Sequence, residues 1–421
     1  MNRTLCSIAI LGFLSTASAI AQESPDWAQW RGPTRDGQFR GPAWPASLTK
    51  DNFRKIWRVP LGPSYSGPIV TADRVFTTET KNAENEIVRA IDRATGKQIW
   101  ERSWPGAMTV PFFARANGDW IRSTPAYDGE RLYVGGMRDV LVCLDAKTGG
   151  IVWKVDFVES LKSSLPTFGF VSSPLLDGDH VYVQAGGALS KLDKRSGKLV
   201  WQTLKDGGAM MGSAFSSPTF AELRGRRQIL VQTRSTLAGV DPAAGDVLWS
   251  VRIPAFREMN ILTPALFGDA VFTSAYGDKS SLIVLSGETN KLKADKAWTN
   301  KHQGYMSSPI IHDGHAYMHL RSQNLTCIDL KDGTSKWTTS ERFGQYWSMV
   351  AQKDRILALD DRGILYLMRA NPNKYEPIAE LPISDQPTWA HLAMSGRNVF
   401  VRELKGLTAY EWTDGPADRS P

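Results

Sequence analysis

The sequence predicts an all-β protein: an eight-bladed β-propeller of four-stranded antiparallel blades, closed by an N-terminal outer strand. Its first indication is a recurring motif in which Asp is followed at fixed spacing by Gly and then Trp. It reads Asp92, Gly96, Trp100; Asp145, Gly149, Trp153; Asp193, Gly197, Trp201; Asp241, Gly245, Trp249; and Asp329, Gly333, Trp337. The second is the interval. Weaker copies at Ser286, Arg369 and Glu411 complete a series spaced roughly 40 to 53 residues apart, the length of four short strands and their turns. The third is what lies between the motifs: a Ser/Thr/Gly-Pro step, a two-residue turn signal and alternating apolar strands. Units of this size cannot bury their hydrophobic faces alone, so they must stack into one body.

Residues 1–21 read as a secretory signal, with Arg3 ahead of an apolar run from Leu5 to Leu14 and small residues at Ala17, Ala19 and Ala21. Residues 22–54 form an extension carrying Trp27, Trp30, Arg31 and Pro33. It is expected to pack on the propeller through its two Trp. The propeller spans 55–412, and residues 413–421 form a C-terminal tail.

Within the propeller, Pro68, Pro125, Pro174, Pro218, Pro264 and Pro309 each begin a unit. Proline at a strand's first residue removes no ladder hydrogen bond. Asp128-Gly129, Asp177-Gly178, Gly268-Asp269, Asp313-Gly314 and Ser395-Gly396 then read as hairpin turns. The motif Asp can accept from backbone N–H groups two or three residues on, and the Gly supplies positive φ. The Trp opens the outer strand and is expected to wedge between blades with its indole N–H bonded. The last unit stops at Trp412, while Trp57 lies in an outer-strand segment with no unit before it. Pairing the two closes the ring and removes an exposed edge.

Cys143 and Cys327 hold equivalent places in the second and sixth units, on opposite sides of such a ring. A disulfide needs Cα atoms within about 7 Å, so they are expected to be separate buried thiols.

Composition bounds the function. The 15 Trp and 42% hydrophobic content supply a large core, and the net charge of +7 is spread over 50 basic and 43 acidic residues. The one tight basic cluster, Arg224-Gly-Arg-Arg227, falls on a hairpin and reads as a solvated turn, not a nucleic-acid contact. After the signal no apolar run reaches about 18 residues, so no membrane span is expected. His312 and His315 flank a turn with His319 further along, too few convergent ligands for zinc.

The motif resembles the pyrroloquinoline quinone (PQQ)-like propeller repeat, a family that includes quinoprotein alcohol dehydrogenases and the assembly propeller BamB. The resemblance covers roughly residues 55–412, and the stretch from Trp27 to Gly37 is similar to one that precedes many exported bacterial propellers of this kind. It implies two kinds of function. Family dehydrogenases hold PQQ with calcium in the propeller mouth, between a Trp floor and an adjacent-cysteine disulfide, with an Asp base. This chain has no Cys-Cys pair and no Asp matching that motif, so no catalytic residue and no metal ligand is assigned. The other kind is a scaffold.

Binding is expected where the repeat varies, in the loops that lead into each blade. The candidate ligand or partner residues there are Phe113, Arg115, Trp120, Arg122, Phe170, Glu258, Asn260, His302, Gln303, Gln345, Tyr346, Trp347, Trp389 and His391. These side chains either bind or simply plug the mouth. The reading is an exported, periplasmic or secreted, monomeric and non-catalytic scaffold, binding protein or peptide at its mouth, with the envelope-assembly role that the BamB resemblance implies. The alternatives are a PQQ-dependent dehydrogenase of alcohols or sugars, and a binder of small anions or carbohydrates.

Overall fold

The computed structural model describes residues 26–113, 118–205, 214–288 and 291–415. The signal-like segment and Arg115 lie outside them. Eight four-stranded antiparallel sheets follow one another round a ring. Blade 1 shows the plan, from the axis outward: Ile69–Val70, Arg74–Lys81, Asn85–Asp92 and Gln98–Pro105. The inner strands are buried on both faces, whereas the outer strand buries only Trp100 and Trp104. Blade 8 is composite. Its outer strand Phe53–Pro60 pairs antiparallel with Gly406–Trp412, the closure that Trp57 and Trp412 led us to expect.

The motif residues dock each blade on the next. Asp92 Oδ1 accepts from the Thr95 N–H at 2.8 Å, and Asp145 and Asp193 repeat this with Thr148 and Ser196. The turn this stabilises presents a backbone carbonyl to the Trp of the preceding blade. Trp57 Nε1 donates to Arg93 at 2.9 Å, Trp100 to Ala146 at 3.0 Å, Trp153 to Lys194 at 2.9 Å and Trp337 to Asn371 at 2.9 Å. Where the neighbour carries the motif Gly the indole sits on it: Trp57 on Gly96, Trp100 on Gly149, Trp153 on Gly197, Trp201 on Gly245 and Trp298 on Gly333. A register slip two residues before the Asp, at Ala90/Ile91, Cys143/Leu144 and Cys327/Ile328 among others, aims the Trp into place.

Blade 5 departs from this plan. Its strands Ser280–Glu288 and Lys291–Asn300 run on as a long hairpin, so Trp249 meets no tight turn. It bonds Gln228 Oε1 of its own blade instead, at 2.5 Å.

The Gly requirement is testable. At Gly197 φ is +70°, and an added Cβ would lie 2.7 Å from the Trp153 ring; at Gly178 φ is +51° with nothing within 4 Å. Both Ala substitutions carry a left-handed penalty of about 1–2 kcal/mol, but only Gly197→Ala adds overpacking of about 1–3 kcal/mol. Denaturant titration is expected to rank Gly197→Ala as the more destabilising, and equal losses would reject the docking role.

The Pro steps carry a second ring of contacts. The residue before each Pro donates its N–H to the hydroxyl at the same place in the next blade: Gly67 to Thr124, Thr124 to Ser173, Ser173 to Ser217, Ser217 to Thr263 and Thr263 to Ser308, at 2.9–3.3 Å. The recurring Ser and Thr are therefore inter-blade ties around the axis, which is why they recur.

Cys143 and Cys327 are free and buried on the third strands of blades 2 and 6. The basic cluster is paired rather than simply solvated: Arg227 contacts Asp177 at 2.8 Å over the Phe220 ring, and Arg226 contacts Asp241 at 2.7 Å. His312 and His315 face each other across their hairpin, and His319 stacks on Trp347. Among the described residues no three His, Cys, Asp or Glu converge as metal ligands.

Candidate functional site

The blade order puts the hairpin and motif turns on one face and the loops that lead into each blade on the other. The extension crosses the hairpin face. Trp27 pairs with Val70, Ala28 accepts from the Tyr127 N–H, and Phe39 pairs with Ala351. Trp44 packs against Trp412, whose Nε1 donates to Ser47. Trp27 thus docks as expected, but Trp30 projects into the channel.

Behind Trp30, Arg31 donates to the Pro309 carbonyl at 2.6 Å and Arg35 to the Pro174 carbonyl at 2.7 Å. Both guanidinium groups lie near the Trp30 ring, at 5.5 and 5.6 Å. Burial lowers Arg31 to about 10 and Arg35 to about 9, so both remain cationic at neutral pH. No feature of the repeat marked these arginines. Their signal was two Arg within five residues of a Trp in a segment that does not repeat.

Above Trp30 lies a cavity of about 220 Å³. Trp30, Tyr65, Phe168, Phe215, Tyr305, Tyr346 and Trp389 supply its aromatic lining, and Thr124, Ser173, Ser217, Thr263 and Ser308 bring the hydroxyls of the inter-blade ring. Arg122 and His391 line it too. Among the described residues that line it there is no Asp or Glu.

Of the predicted residues, Arg122, Tyr346, Trp389 and His391 come together here. Tyr346 and Trp389 stack at 5.7 Å with planes 9° apart, and Tyr65 joins Trp389 to Trp120. Arg122 gives hydrogen bonds to the carbonyls of Trp120 and Gly118. His391 is 6% exposed and edges onto Trp30. Burial first, then Arg31, pushes it well below the usual imidazole range, so it is neutral.

Three predicted surface residues are instead core. Trp347 is fully buried among His319, Phe343 and Tyr366. Phe170 is buried with Tyr133 and Phe157. Asn260 is held inside by the carbonyls of Arg234 and Ile253. Met259 and Ile261, on either side of it, line the cavity, while Glu258, at the end of a short 3-10 turn with φ +56°, pairs with Arg234 at 2.6 Å. His302 and Gln303 are half-buried and Gln345 is exposed; none of the three lines the cavity. Phe113 is exposed at the rim beside Phe112, which is 81% exposed.

A family model described as outer membrane protein assembly factor BamB matches residues 84–339. The chain belongs to this family. It is 22% identical over 343 residues to the outer membrane protein assembly factor BamB of Moranella endobia (strain PCIT), covering 76% of this chain and 82% of that one. It is 25% identical to BamB of Yersinia pestis, covering 57% of this chain and 63% of the relative. The polyvinylalcohol dehydrogenase of Sphingopyxis sp. (strain 113P3) is 27% identical over 54% of this chain and 40% of the enzyme. Among solved structures, BamB from Moraxella catarrhalis superposes with a TM-score of 0.62 at 14% identity, covering 87% of this chain and 99% of that one. Quinohemoprotein alcohol dehydrogenase from Comamonas testosteroni gives 0.53 at 13% identity, over 96% and 82%. These superpositions bear on fold alone.

Proposed function

We propose that this BamB-family chain is an exported, non-catalytic scaffold that offers its mouth loops to a protein partner in outer-membrane protein assembly. The observation that carries this reading is the apolar rim. Phe112 and Phe113 pack together, exposed, on the loop leading into blade 2, and Leu165 and Phe256 stand exposed on the loops leading into blades 3 and 5. Large apolar side chains grouped on a surface mark interaction sites. Among the described residues no helix is long and apolar enough to cross a membrane.

The PQQ-dehydrogenase alternative finds less support. Calcium takes six to eight oxygen ligands, with carboxylates prominent among them, and the described residues lining the cavity include no carboxylate. The residues present do not fit a calcium-bound quinone.

The test is capture of envelope proteins by the purified chain, compared with the Phe112→Ser/Phe113→Ser variant. Both side chains are solvent-exposed, so the variant should melt like the parent. Partner recovery is expected to drop at least tenfold. Equal recovery would remove the rim from the function.

A further inference from the structure

We propose that the central cavity is a metal-free binding site for an aromatic carboxylate, with Trp30 of the extension as its floor and Arg122 as its cation. This goes beyond the scaffold reading and stands or falls separately from it.

The polar groups around the cavity are donors. Thr124, Ser173, Ser217, Thr263 and Ser308 each use the hydroxyl oxygen to accept an N–H from the preceding blade. Each therefore keeps its own proton for a further acceptor. Arg122 hydrogen-bonds only carbonyls; among the described residues no carboxylate forms a salt bridge with it, and Asp119 favours its charged form only from a distance. Burial holds it down to about 10, still cationic at neutral pH. His391 Nδ1 is buried with no hydrogen-bond partner. Arg31 adds positive charge beneath. With no Asp or Glu among the described residues that line the space, a ligand that supplies negative charge and acceptors satisfies the most groups at once.

The walls select a flat apolar body. Tyr346 stacks on Trp389, Tyr65 tilts against it, and Trp30 closes the bottom. Phe113, Phe168 and Phe215 continue as a chain of ring contacts at 6.4 and 5.6 Å from the rim to the cavity. At about 220 Å³ the space is smaller than the ~300–1,000 Å³ of drug-sized pockets, in keeping with a single ring and its acid group. The same chemistry has two sources: a free aromatic acid, or a polypeptide ending in an aromatic residue.

Calorimetry on the full chain, with phenylacetate and with Gly-Gly-Phe, each as free acid and as amide, separates the outcomes. Both acids are expected to bind saturably and the amides at least tenfold more weakly. Arg122→Gln should weaken acid binding at least tenfold while leaving the amides unchanged, and Arg122→Lys should restore part of the loss. EDTA should have no effect. Tighter binding of the tripeptide than of phenylacetate assigns the site to a chain terminus; the reverse assigns it to a free acid. Equal affinity of acid and amide, indifference to Arg122→Gln, a need for calcium, or no binding of either acid would each overturn the proposal. Phe112→Ser alone, which changes the rim and leaves the Phe113–Phe168–Phe215 rings in place, should still bind the acids, so loss of partner capture and loss of ligand binding are told apart.

Discussion

Trp57→Ala is expected to destabilise the protein by about 3–5 kcal/mol, the cost of truncating a large core aromatic. Trp57 packs near the Phe400 ring, covers Gly96 and donates to the Arg93 carbonyl. Every other blade is joined to its own strands by short turns, but this strand reaches its sheet from the far end of the chain. Its pairing with residues 406–412 is the ring's seam. Arg402 spans the same seam, donating to the carbonyls of Gly62 and Thr78. Loss of Trp57 should therefore also raise amide exchange along 53–60 more than in other outer strands. Guanidinium titration and hydrogen exchange test the two parts. A loss under about 1 kcal/mol, or exchange no faster at 53–60 than at Gln98–Pro105, would show that the ring is held shut elsewhere.

The frame was legible because it repeats. Asp, Gly and Trp at fixed spacing specify a turn, a close approach and an indole that must find an acceptor. The ring and its seam follow from those requirements. The Ser/Thr-Pro steps were legible as strand starts, yet their hydroxyl ties between blades were not, since spacing along one chain does not show what lies beside it in the next blade. The mouth was legible only as a set of loops. Trp347 and Tyr346 are adjacent in sequence, and one is core while the other lines the cavity. Glu258 and Met259 divide the same way. Burial at such positions depends on which face of an irregular segment turns inward, and no period announces it. Both Trp of the extension were expected to pack on the propeller. Only the structure shows that Trp30 does so from inside the channel, with the two arginines near it tied to the Pro309 and Pro174 carbonyls.

The pH dependence of stability should come from buried groups that pull in opposite directions. Glu86 and Asp139 are both raised to about 7, by burial above all. A carboxyl whose folded pKa is raised contributes stability below its unfolded pKa and loses it as pH climbs through 7. For Glu86 the whole swing is about 3 kcal/mol, at about 1.4 kcal/mol per pKa unit. Burial lowers His319 to about 4 and His391 further still. Their contribution is present above about 6.5 and lost as pH falls toward 4. Between about 4.5 and 6.5 the two slopes oppose each other, so the parent should change little there. Above 6.5 only the carboxyls act, and stability should fall with rising pH by on the order of 1 kcal/mol per group to pH 8. Glu86→Gln should flatten that alkaline limb. On the acid side it should unmask the histidines, so that the variant loses on the order of 1–2 kcal/mol relative to the parent between pH 6.5 and 5. The Met137 and Trp104 N–H groups that Glu86 accepts lose part of their acceptor in the variant. That loss shifts the whole curve without changing its slope, which makes the slope the quantity to read. Parallel curves for parent and variant, from denaturant titrations at pH 5, 6.5 and 8, would mean that Glu86 does not titrate in this range.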